Sequence, residues 1–300
     1  MKLISELQFP EKVRSAEKFE LLHTMVSAAE KAWKESIEPR MEKVRLGSIN
    51  AGSMKKGSDF FTEADTESER VIREILCTKY GENTLRIYGE ESGSYIGNLD
   101  AEITIRIDPI DGTEAFKFGK ANWSIMIGAY VGRNEAEKQI SSVIYWPEYY
   151  NQVLFSLGAN TFIGNATTGL VTEINKLDQQ DVLSEMIVAF YKHSNLQERG
   201  DDNEIMKVLE DSGARVKSLM PTEVKEALET RGRRAIILDG DFNQVDFISY
   251  SSLVRLGYEV FEWNGTKHSV DDPAIANKKL VFVPPGEAGK LILKIVRDFC

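Results

Sequence analysis

Residues 103–116 read ITIRIDPIDGTEAF, and this stretch decides the fold predicted for the chain around it. Apolar residues alternate up to Asp108, which indicates a β-strand that ends on a carboxylate. Pro109 fixes its own φ and favours an extended Asp108, whereas Gly112 allows a ligand to approach the backbone. Two carboxylates and a hydroxyl thus fall within one chain reversal. This arrangement suits the binding of a hard cation better than burial in a hydrophobic core.

Asp111 follows Asp108 at a spacing of Asp-x-x-Asp. Two carboxylates a few ångströms apart repel each other, and without a cation one of them tends to stay protonated. A Mg²⁺ ion removes this penalty, because it prefers a few carboxylates together with water and phosphate oxygens. A helix beginning after Gly112 would add free N–H groups that favour an anion. The same residues also allow a plain structural interpretation, an Asp-Pro turn followed by an Asx cap.

Several phosphate and hydrolytic chemistries do not fit this chain. An aspartyl-phosphatase of the haloacid dehalogenase type needs Asp-x-Asp, and Ile110 stands where its second aspartate would be. A Walker loop and a Gly-x-Ser-x-Gly elbow are both absent. The histidines show no metal-ligand spacing, which argues against zinc hydrolysis; they are His23, His193 and His268. Carboxylate-bound Mg²⁺ that activates water for direct displacement is what is left.

Composition limits the class of protein. The chain has 300 residues, 42% of them hydrophobic and 28% charged, which is ordinary for a globular protein with ample core. Its net charge of −10 argues against a nucleic-acid polymer as partner. No apolar run is long enough for a membrane span, and the N-terminus does not resemble a signal peptide. Cys77 and Cys300 are expected to be reduced thiols, which predicts a cytoplasmic location without membrane attachment.

Two features of the N-terminal part bear on the site. Periodicity predicts a helix over residues ~15–45 that Pro39 ends or kinks. Residues 46–58 are rich in Gly and Ser and are predicted to form an exposed loop. This loop is either a connector or a flap that brings Lys55 or Lys56 to a site.

Further along the chain, Thr66 and Glu69 match a capping box, which places Asp65 just before a helix N-terminus. Strands are predicted at residues 85–87, 103–107, 123–131, 139–146 and 152–157.

A composition shift after Gly169 suggests a second domain. From there strands and helices alternate, which indicates a smaller α/β layer. We therefore predict an N-terminal α+β domain at residues 1–178 that carries most metal ligands. A C-terminal α/β domain at residues 179–300 would contribute the last ligand and the substrate contacts.

Three motifs occur in order: residues 59–65 read DFFTEAD, residues 89–92 read GEES, and residues 108–113 read DPIDGT. In order and spacing they resemble the inositol monophosphatase family. This is the magnesium-dependent, lithium-sensitive superfamily that includes fructose-1,6-bisphosphatases and 3'(2'),5'-bisphosphate nucleotidases. The resemblance covers residues 20–170 well. It implies a layered α-β-α-β-α sandwich, an α+β / α/β fold of the inositol monophosphatase / fructose-1,6-bisphosphatase type, and commonly a homodimer.

The family's last motif is matched less closely. Residues 244–252 read QVDFISYSS and lack the usual Trp and Ala-Ala-Gly, but residues 256–265 follow at the expected distance. We therefore align Asp246 with the last metal ligand of the family. A substrate-contacting acidic residue lies seven positions earlier in the family, which corresponds to Asp239, with Asp241 close enough to compete.

The resemblance implies a set of two or three bound Mg²⁺ ions. Glu90, Asp108 and the carbonyl of Ile110 would hold the first ion. Asp108, Asp111 and Asp246 would hold the second, and Glu90 would help to hold a third, weaker ion with its water.

The resemblance also implies catalytic and substrate-binding roles. Asp65 and Thr113 would orient and deprotonate the nucleophilic water, and Glu90 would take part through the third ion. The N–H groups of Gly112 and Thr113 would bind the phosphate. Substrate contacts are expected from Asp111, Gly112, Thr113, Asp239 and Asp246.

The expected activity is that of a Mg²⁺-dependent phosphomonoesterase of the inositol monophosphatase type. Its substrate would be a small phosphorylated metabolite, a polyol or sugar phosphate such as inositol 1-phosphate, and lithium would inhibit it. A 3'(2'),5'-bisphosphate nucleotidase is the alternative enzyme, and residues 114–116 (EAF, where such enzymes tend to carry KEF) neither favour nor exclude it. A degenerate member that acts as a binding module is the second alternative, suggested by the altered motif around Asp246.

Overall fold

The computed structural model describes residues 4–46, 53–54, 60–61, 63–132, 137–149, 151–191, 200–219, 223–240, 242–270, 275 and 278–299. The chain divides into two compact units, Met1–Ile174 and Asn175–Cys300. The flap predicted at residues 46–58 falls largely outside the described residues, and Lys55 and Lys56 are among those not described. In the described part of the chain, no helix is both long and apolar enough to cross a membrane.

The helices of the first unit include one long rod. Its bounds are α1 Glu11–Arg14, α2 Phe19–Ala32, α3 Glu38–Arg45, α4 Glu63–Tyr80 and α5 Thr113–Lys117. The rod runs from α2 through a π-helical turn at Trp33–Ile37 into α3. Of the two outcomes predicted at Pro39, an end of the helix is therefore wrong, and a kink stays a prediction. In that turn the N–H of Glu38 donates to the carbonyl of Trp33. Because this turn is wider than an α-helical one, the ring of Pro39 is accommodated without breaking the rod.

The strands of the first unit pair mostly with their sequence neighbours. Their bounds are β1 Ser53–Met54, β2 Phe60–Phe61, β3 Leu85–Gly89, β4 Tyr95–Gly97, β5 Ile103–Asp111, β6 Ser124–Val131, β7 Lys138–Trp146, β8 Gln152–Leu157, β9 Asn160–Asn165 and β10 Leu170–Ile174. Within the described residues, eight of them form one sheet in the order β10-β9-β8-β7-β6-β5-β3-β4, and β1 pairs with β2. All neighbours are antiparallel except β3 and β5, which run parallel. The carboxyl ends of β3 and β5 therefore lie side by side.

Helices α2 and α4 cover one face of this sheet. The alternate residues Ile105 and Ile107 of β5 belong to the same buried cluster as Leu22 of α2 and Ile72 of α4. Burial of each such side chain stabilises the unit by about 1.5–3 kcal/mol. This packing fixes α4 against β3 and β5, the two strands that lead into the predicted site.

The second unit is a six-stranded mixed sheet with helices on both faces. Its elements are β11 Ile187–Tyr191, α6 Gly200–Asp211, β12 Arg215–Ser218, α7 Glu223–Glu229, β13 Arg234–Asp239, α8 Phe247–Arg255, β14 Glu259–Glu262, β15 Lys267–His268, β16 Lys279–Val283 and α9 Glu287–Arg297. In the described residues the strand order is β12-β11-β13-β16-β14-β15. Ile205 of α6 and Ile292 of α9 share a cluster with Val281, whereas Tyr250 of α8 stacks on Phe282, the next residue of β16. The predicted alternation of strands and helices is thus present in this unit.

Candidate functional site

An irregularity in β5 brings its two aspartates to one face of the sheet. Against the antiparallel strand β6, Asp108 is opposite Met126 and Asp111 is opposite Ser124, with a register shift between the two pairs. One extra residue on β5 therefore forms a β-bulge. Since Ser124 and Met126 are alternate residues of one strand, they share a face, and so do Asp108 and Asp111. The strand continues to Asp111 and α5 begins at Thr113, so the predicted end of the strand at Asp108 is wrong.

The surroundings of Asp111 disfavour the ionised form of its carboxyl group. Burial raises the pKa of its carboxyl to about 7, a hydrogen bond from Ser124 opposes the rise, and the charge of Glu90 adds to it. The hydroxyl of Ser124 donates to Oδ2 of Asp111 at 3.1 Å. A cation bound beside Asp111 and Glu90 would stabilise the ionised form of both carboxylates.

Glu90 stands beside Asp108 because of the parallel pairing of β3 and β5. Gly89 is the register partner of Ile107, and the N–H of Glu90 donates to the carbonyl of Ile107 at 3.0 Å. Glu90 directly follows Gly89, and Asp108 directly follows Ile107 on the neighbouring strand. Adjacent strands run about 4.8 Å apart. The GEES and DPIDGT motifs therefore meet at one edge of the sheet.

The turn after β5 is held by local bonds and by aromatic packing. Gly112 has φ 90°, a left-handed conformation that favours glycine, and precedes the first residue of α5. The hydroxyl of Thr113 donates to the carbonyl of Ile110 at 3.0 Å. Phe116 of α5 packs edge-on against Trp123, the residue before Ser124, with ring centroids 5.5 Å apart. One aromatic contact thus supports both α5 and the serine that bonds Asp111.

Asp65 is the third residue of α4 and is almost fully buried, at 1% exposure. The predicted capping box is wrong, because α4 begins at Glu63 and both Thr66 and Glu69 lie inside it. Glu69 is buried, and its Oε2 accepts the N–H of Glu91 at 2.8 Å. Asp65 precedes Glu69 by four residues, about one helical turn, so it lies on the same side of α4 as the contact with the GEES turn.

The second unit contains the remaining acidic residues of the prediction. Asp246 directly precedes α8, and its Oδ2 accepts the N–H of Asn243 at 2.6 Å. Asp239 ends β13 and forms an ion pair with Lys279 of β16 at 2.9 Å. Asp241 lies outside the described residues. Metal binding by Asp246 and substrate contact by Asp239 stay predictions.

The donor set of the first unit fits Mg²⁺ in kind. It consists of hard carboxylate oxygens and a backbone carbonyl, and the raised pKa of Asp111 shows that the ionised form is disfavoured without a cation. Within the described ranges, no three His, Cys, Asp or Glu side chains are gathered into a group that could hold an ion. Metal binding by Glu90, Asp108 and Asp111 therefore stays a prediction.

Comparison with protein families identifies the chain. The model of the inositol monophosphatase family matches residues 21–298. This chain belongs to the inositol monophosphatase family. The match includes both compact units, and the resemblance of the three motifs is confirmed.

Curated relatives match this chain over shorter segments. The chloroplastic phosphatase IMPL1 of Arabidopsis thaliana is 29% identical over 121 residues, 40% of this chain and 31% of the relative. The Nus factor SuhB of Pasteurella multocida is 36% identical over 96 residues, 32% of this chain and 33% of the relative. The matched part of the chain therefore spans about a third of the length of each relative.

Solved structures match over nearly the whole chain. The extragenic suppressor protein SuhB of Bartonella henselae has a TM-score of 0.74 at 17% identity, covering 93% of this chain and 98% of its own. SaIMPase-II with bound inositol monophosphate has a TM-score of 0.64 at 15% identity, covering 91% and 94%. The same protein is also found with bound 2'AMP. The predicted fold class, an α+β fold of the inositol monophosphatase type, is confirmed by these similarities.

Two side chains in this region were not predicted to take part in the site. Ser124 could have been found only by knowing the β-bulge, which sets the register between β5 and β6. Glu69 was assigned to a local cap, whereas its bonds join it to residues more than twenty positions away. Both contacts are tertiary, so no short sequence pattern indicates them.

Proposed function

We propose that the protein is a Mg²⁺-dependent phosphomonoesterase that acts on a small polyol or sugar phosphate. One observation carries this proposal: the bulge in β5 presents Asp108 and Asp111 on one face, with the charge of Glu90 acting on Asp111. A Mg²⁺ ion that also binds phosphate is usually held by one or two protein carboxylates, so these three carboxylates are enough for two ions that share Asp108. Membership of the inositol monophosphatase family supports phosphatase chemistry in particular.

Glu90, Asp108 and the carbonyl of Ile110 would hold one ion of the first unit, and Asp108 and Asp111 would hold a second; metal binding by Asp246 stays a prediction. When bound there, Mg²⁺ would lower the pKa of a coordinated water and neutralise charge on the phosphate oxygens. Oδ2 of Asp111 accepts the hydrogen bond from the Ser124 hydroxyl, and Oδ1 would face an ion. The protein's part is to keep these oxygens in place.

Thr113 is proposed to orient the attacking water. Its hydroxyl donates to the carbonyl of Ile110, so the lone pairs of the hydroxyl oxygen can accept a hydrogen bond from the water. Asp65, buried near the start of α4, is proposed as the carboxylate that takes up the water's proton. The leaving alkoxide would then be protonated from solvent.

The N–H groups around Gly112 and Thr113 are proposed to bind the phosphate. Early N–H groups of a helix have no partner within the helix and favour an anion. A polyol or sugar phosphate as substrate is supported by SaIMPase-II, which is found with bound inositol monophosphate. Substrate contact by Asp239 and Asp246 stays a prediction.

The proposal is tested by measuring phosphate release from a panel of small phosphate esters, with and without Mg²⁺. Asp108→Asn keeps the shape of the side chain but weakens it as a ligand, and activity should fall by orders of magnitude. Asp100→Asn, at an exposed aspartate of the same unit, is the matched control and should keep wild-type activity. Metal-independent release, or full activity of Asp108→Asn, would refute the mechanism.

Two alternatives have specific observations in their favour. A 3'(2'),5'-bisphosphate nucleotidase is supported by the binding of 2'AMP to SaIMPase-II. Faster turnover of adenosine 3',5'-bisphosphate than of inositol 1-phosphate would establish it. A binding module is supported by the curated relatives described as Nus factor SuhB. Absence of phosphate release from every ester, in protein that binds Mg²⁺, would favour that alternative.

Lithium sensitivity and assembly as a homodimer are further proposals that follow from the family. Titration of the phosphatase activity with lithium at tens of millimolar tests the first. Light scattering coupled to size exclusion tests the second, with a mass of twice 33.8 kDa expected.

A further inference from the structure

The carboxylate of Glu69 lies inside the turn that carries Glu90. Glu69 belongs to α4 and is 2% exposed. Its Oε2 accepts the N–H of Glu91 at 2.8 Å and the N–H of Ser92 at 3.3 Å. Hydrogen bonds from backbone N–H groups to an ionised carboxylate are stronger than those between neutral groups. The helix therefore holds the turn from the side of the core.

Gly89 makes this approach possible. A Cβ on Gly89 would overlap all three carboxylate atoms of Glu69. Gly89 does not have a positive φ, unlike Gly112, so its backbone conformation is open to other residues. The absence of a side chain at Gly89 is thus explained by the close approach of Glu69 and not by backbone geometry.

The backbone on both sides of Glu90 is therefore held in place. Gly89 before it is held by the pairing of β3 with β5, and its own N–H donates to Ile107. The two residues after it are held by Glu69. A buried carboxylate is costly unless it is hydrogen-bonded, and the charge of Arg73, at 3.7 Å, offsets only part of that cost. Its hydrogen bonds to the GEES turn supply the remaining compensation.

We propose that Glu69 is a positioning residue for the metal site, acting through the backbone of residues 89–92. It holds Glu90 where its carboxylate meets Asp111 and Asp108 when the cation binds. This inference rests on the proposed function, because it assigns Glu90 to the metal. The residue itself touches neither the metal nor the substrate.

The test uses the full chain and Mn²⁺ as the probe, with binding followed by electron paramagnetic resonance. Glu69→Ala removes both hydrogen bonds, and Mn²⁺ affinity should fall about 10- to 100-fold, the usual effect of losing a residue that orients metal ligands. Glu69→Gln retains a side-chain oxygen that accepts both N–H groups and should stay within about threefold of wild type. Glu74→Ala, at an exposed glutamate of α4, is the matched control and should leave affinity unchanged.

A second pair of variants tests the juxtaposition itself. Gly89→Ala should displace the Glu69 carboxylate and weaken Mn²⁺ binding as much as Glu69→Ala does. The double variant should bind Mn²⁺ no more weakly than either single variant does, since both substitutions act on the same contact. Amide hydrogen exchange, measured without metal, should show faster exchange at Glu91 and Ser92 in Glu69→Ala and protection at both in Glu69→Gln.

The outcomes separate this inference from the proposed function. Wild-type Mn²⁺ affinity in folded Glu69→Ala would overturn the positioning role even if the wild type releases phosphate. Weak binding by Glu69→Gln with both amides protected would also overturn it, because charge and not position would then matter. If the wild type binds Mn²⁺ but releases no phosphate, the proposed function fails while the affinity and exchange results still decide the role of Glu69. Should Glu69→Ala not fold, Gly89→Ala and Glu69→Gln decide it.

Discussion

Removal of the Ser124 hydroxyl should weaken metal binding without disturbing the fold. In Ser124→Ala the carboxylate of Asp111 loses its hydrogen bond at 3.1 Å. A hydrogen bond to a charged group contributes about 1.5–3 kcal/mol, which corresponds to roughly a 10- to 100-fold change in an equilibrium constant. The serine bond also opposes the rise of the Asp111 pKa to about 7, so its loss raises that pKa further. At neutral pH a proton then competes with Mg²⁺ for the carboxylate.

The assay is calorimetric titration of metal-free protein with Mg²⁺ at pH 7. Ser142→Ala is the control, because Ser142 is equally buried and loses only a neutral bond to Ser156 on β8. Mg²⁺ affinity should fall about tenfold or more in Ser124→Ala and stay at the wild-type value in Ser142→Ala. Equal affinities in all three proteins, with unchanged thermal unfolding, would refute the assignment of Asp111 as a ligand supported by Ser124.

Two further predictions concern pH and stability. Because the pKa of Asp111 is about 7, the apparent Mg²⁺ affinity should fall as pH is lowered from 8 to 6, and a pH-independent affinity would count against metal binding at this carboxylate. In the metal-free protein the sign is opposite: the raised pKa favours the protonated folded form, so the contribution of Asp111 to stability should decline as pH rises from about 4 through about 7, as measured by urea unfolding. Glu137 pairs with Arg86 and Arg106, and all three side chains are at most 12% exposed. Glu137→Ala should therefore cost about 3–5 kcal/mol of unfolding free energy, whereas a cost below 1 kcal/mol, similar to that of the exposed control Glu102→Ala, would contradict a buried pair.

The strand pattern of residues 103–107 predicted β5 because alternation of apolar residues is a local property of the chain. The bulge that follows was not predicted, although Pro109 is compatible with one. A bulge is set by the register with β6, and the sequence of β5 alone does not specify that register. For this reason the two aspartates were expected at the end of a strand and the start of a turn, not on one face of the sheet.

Glu69 illustrates the limit of local motifs. Thr66 and Glu69 have the spacing of a capping box, yet α4 already begins at Glu63. The side chain of Glu69 is directed by its bonds to Glu91 and Ser92, which pattern reasoning cannot anticipate. Pro39 shows the same limit. It was expected to end or kink the helix, but a π-helical turn lies just before it and the helix continues.

The second unit followed the predicted alternation of strands and helices closely, since its buried strands are short and apolar. The functional role of its acidic residues could not be predicted from local patterns in the way that its strands and helices were. Asp239 is paired with Lys279 across two strands that are at least 40 residues apart in sequence. Lys279→Met would release this carboxylate, and a change in KM with unchanged kcat would indicate that Asp239 contacts substrate.

The most direct test of the account is the anomalous scattering of Mn²⁺ in crystals of the protein. We expect one strong peak within about 2.3 Å of carboxylate oxygens from Glu90 and Asp108, and a second peak at a similar distance from Asp108 and Asp111. Both peaks should be lost in crystals of Asp108→Asn. A fully occupied Mn²⁺ site elsewhere, with these three carboxylates unchanged and without metal, would contradict the central claim.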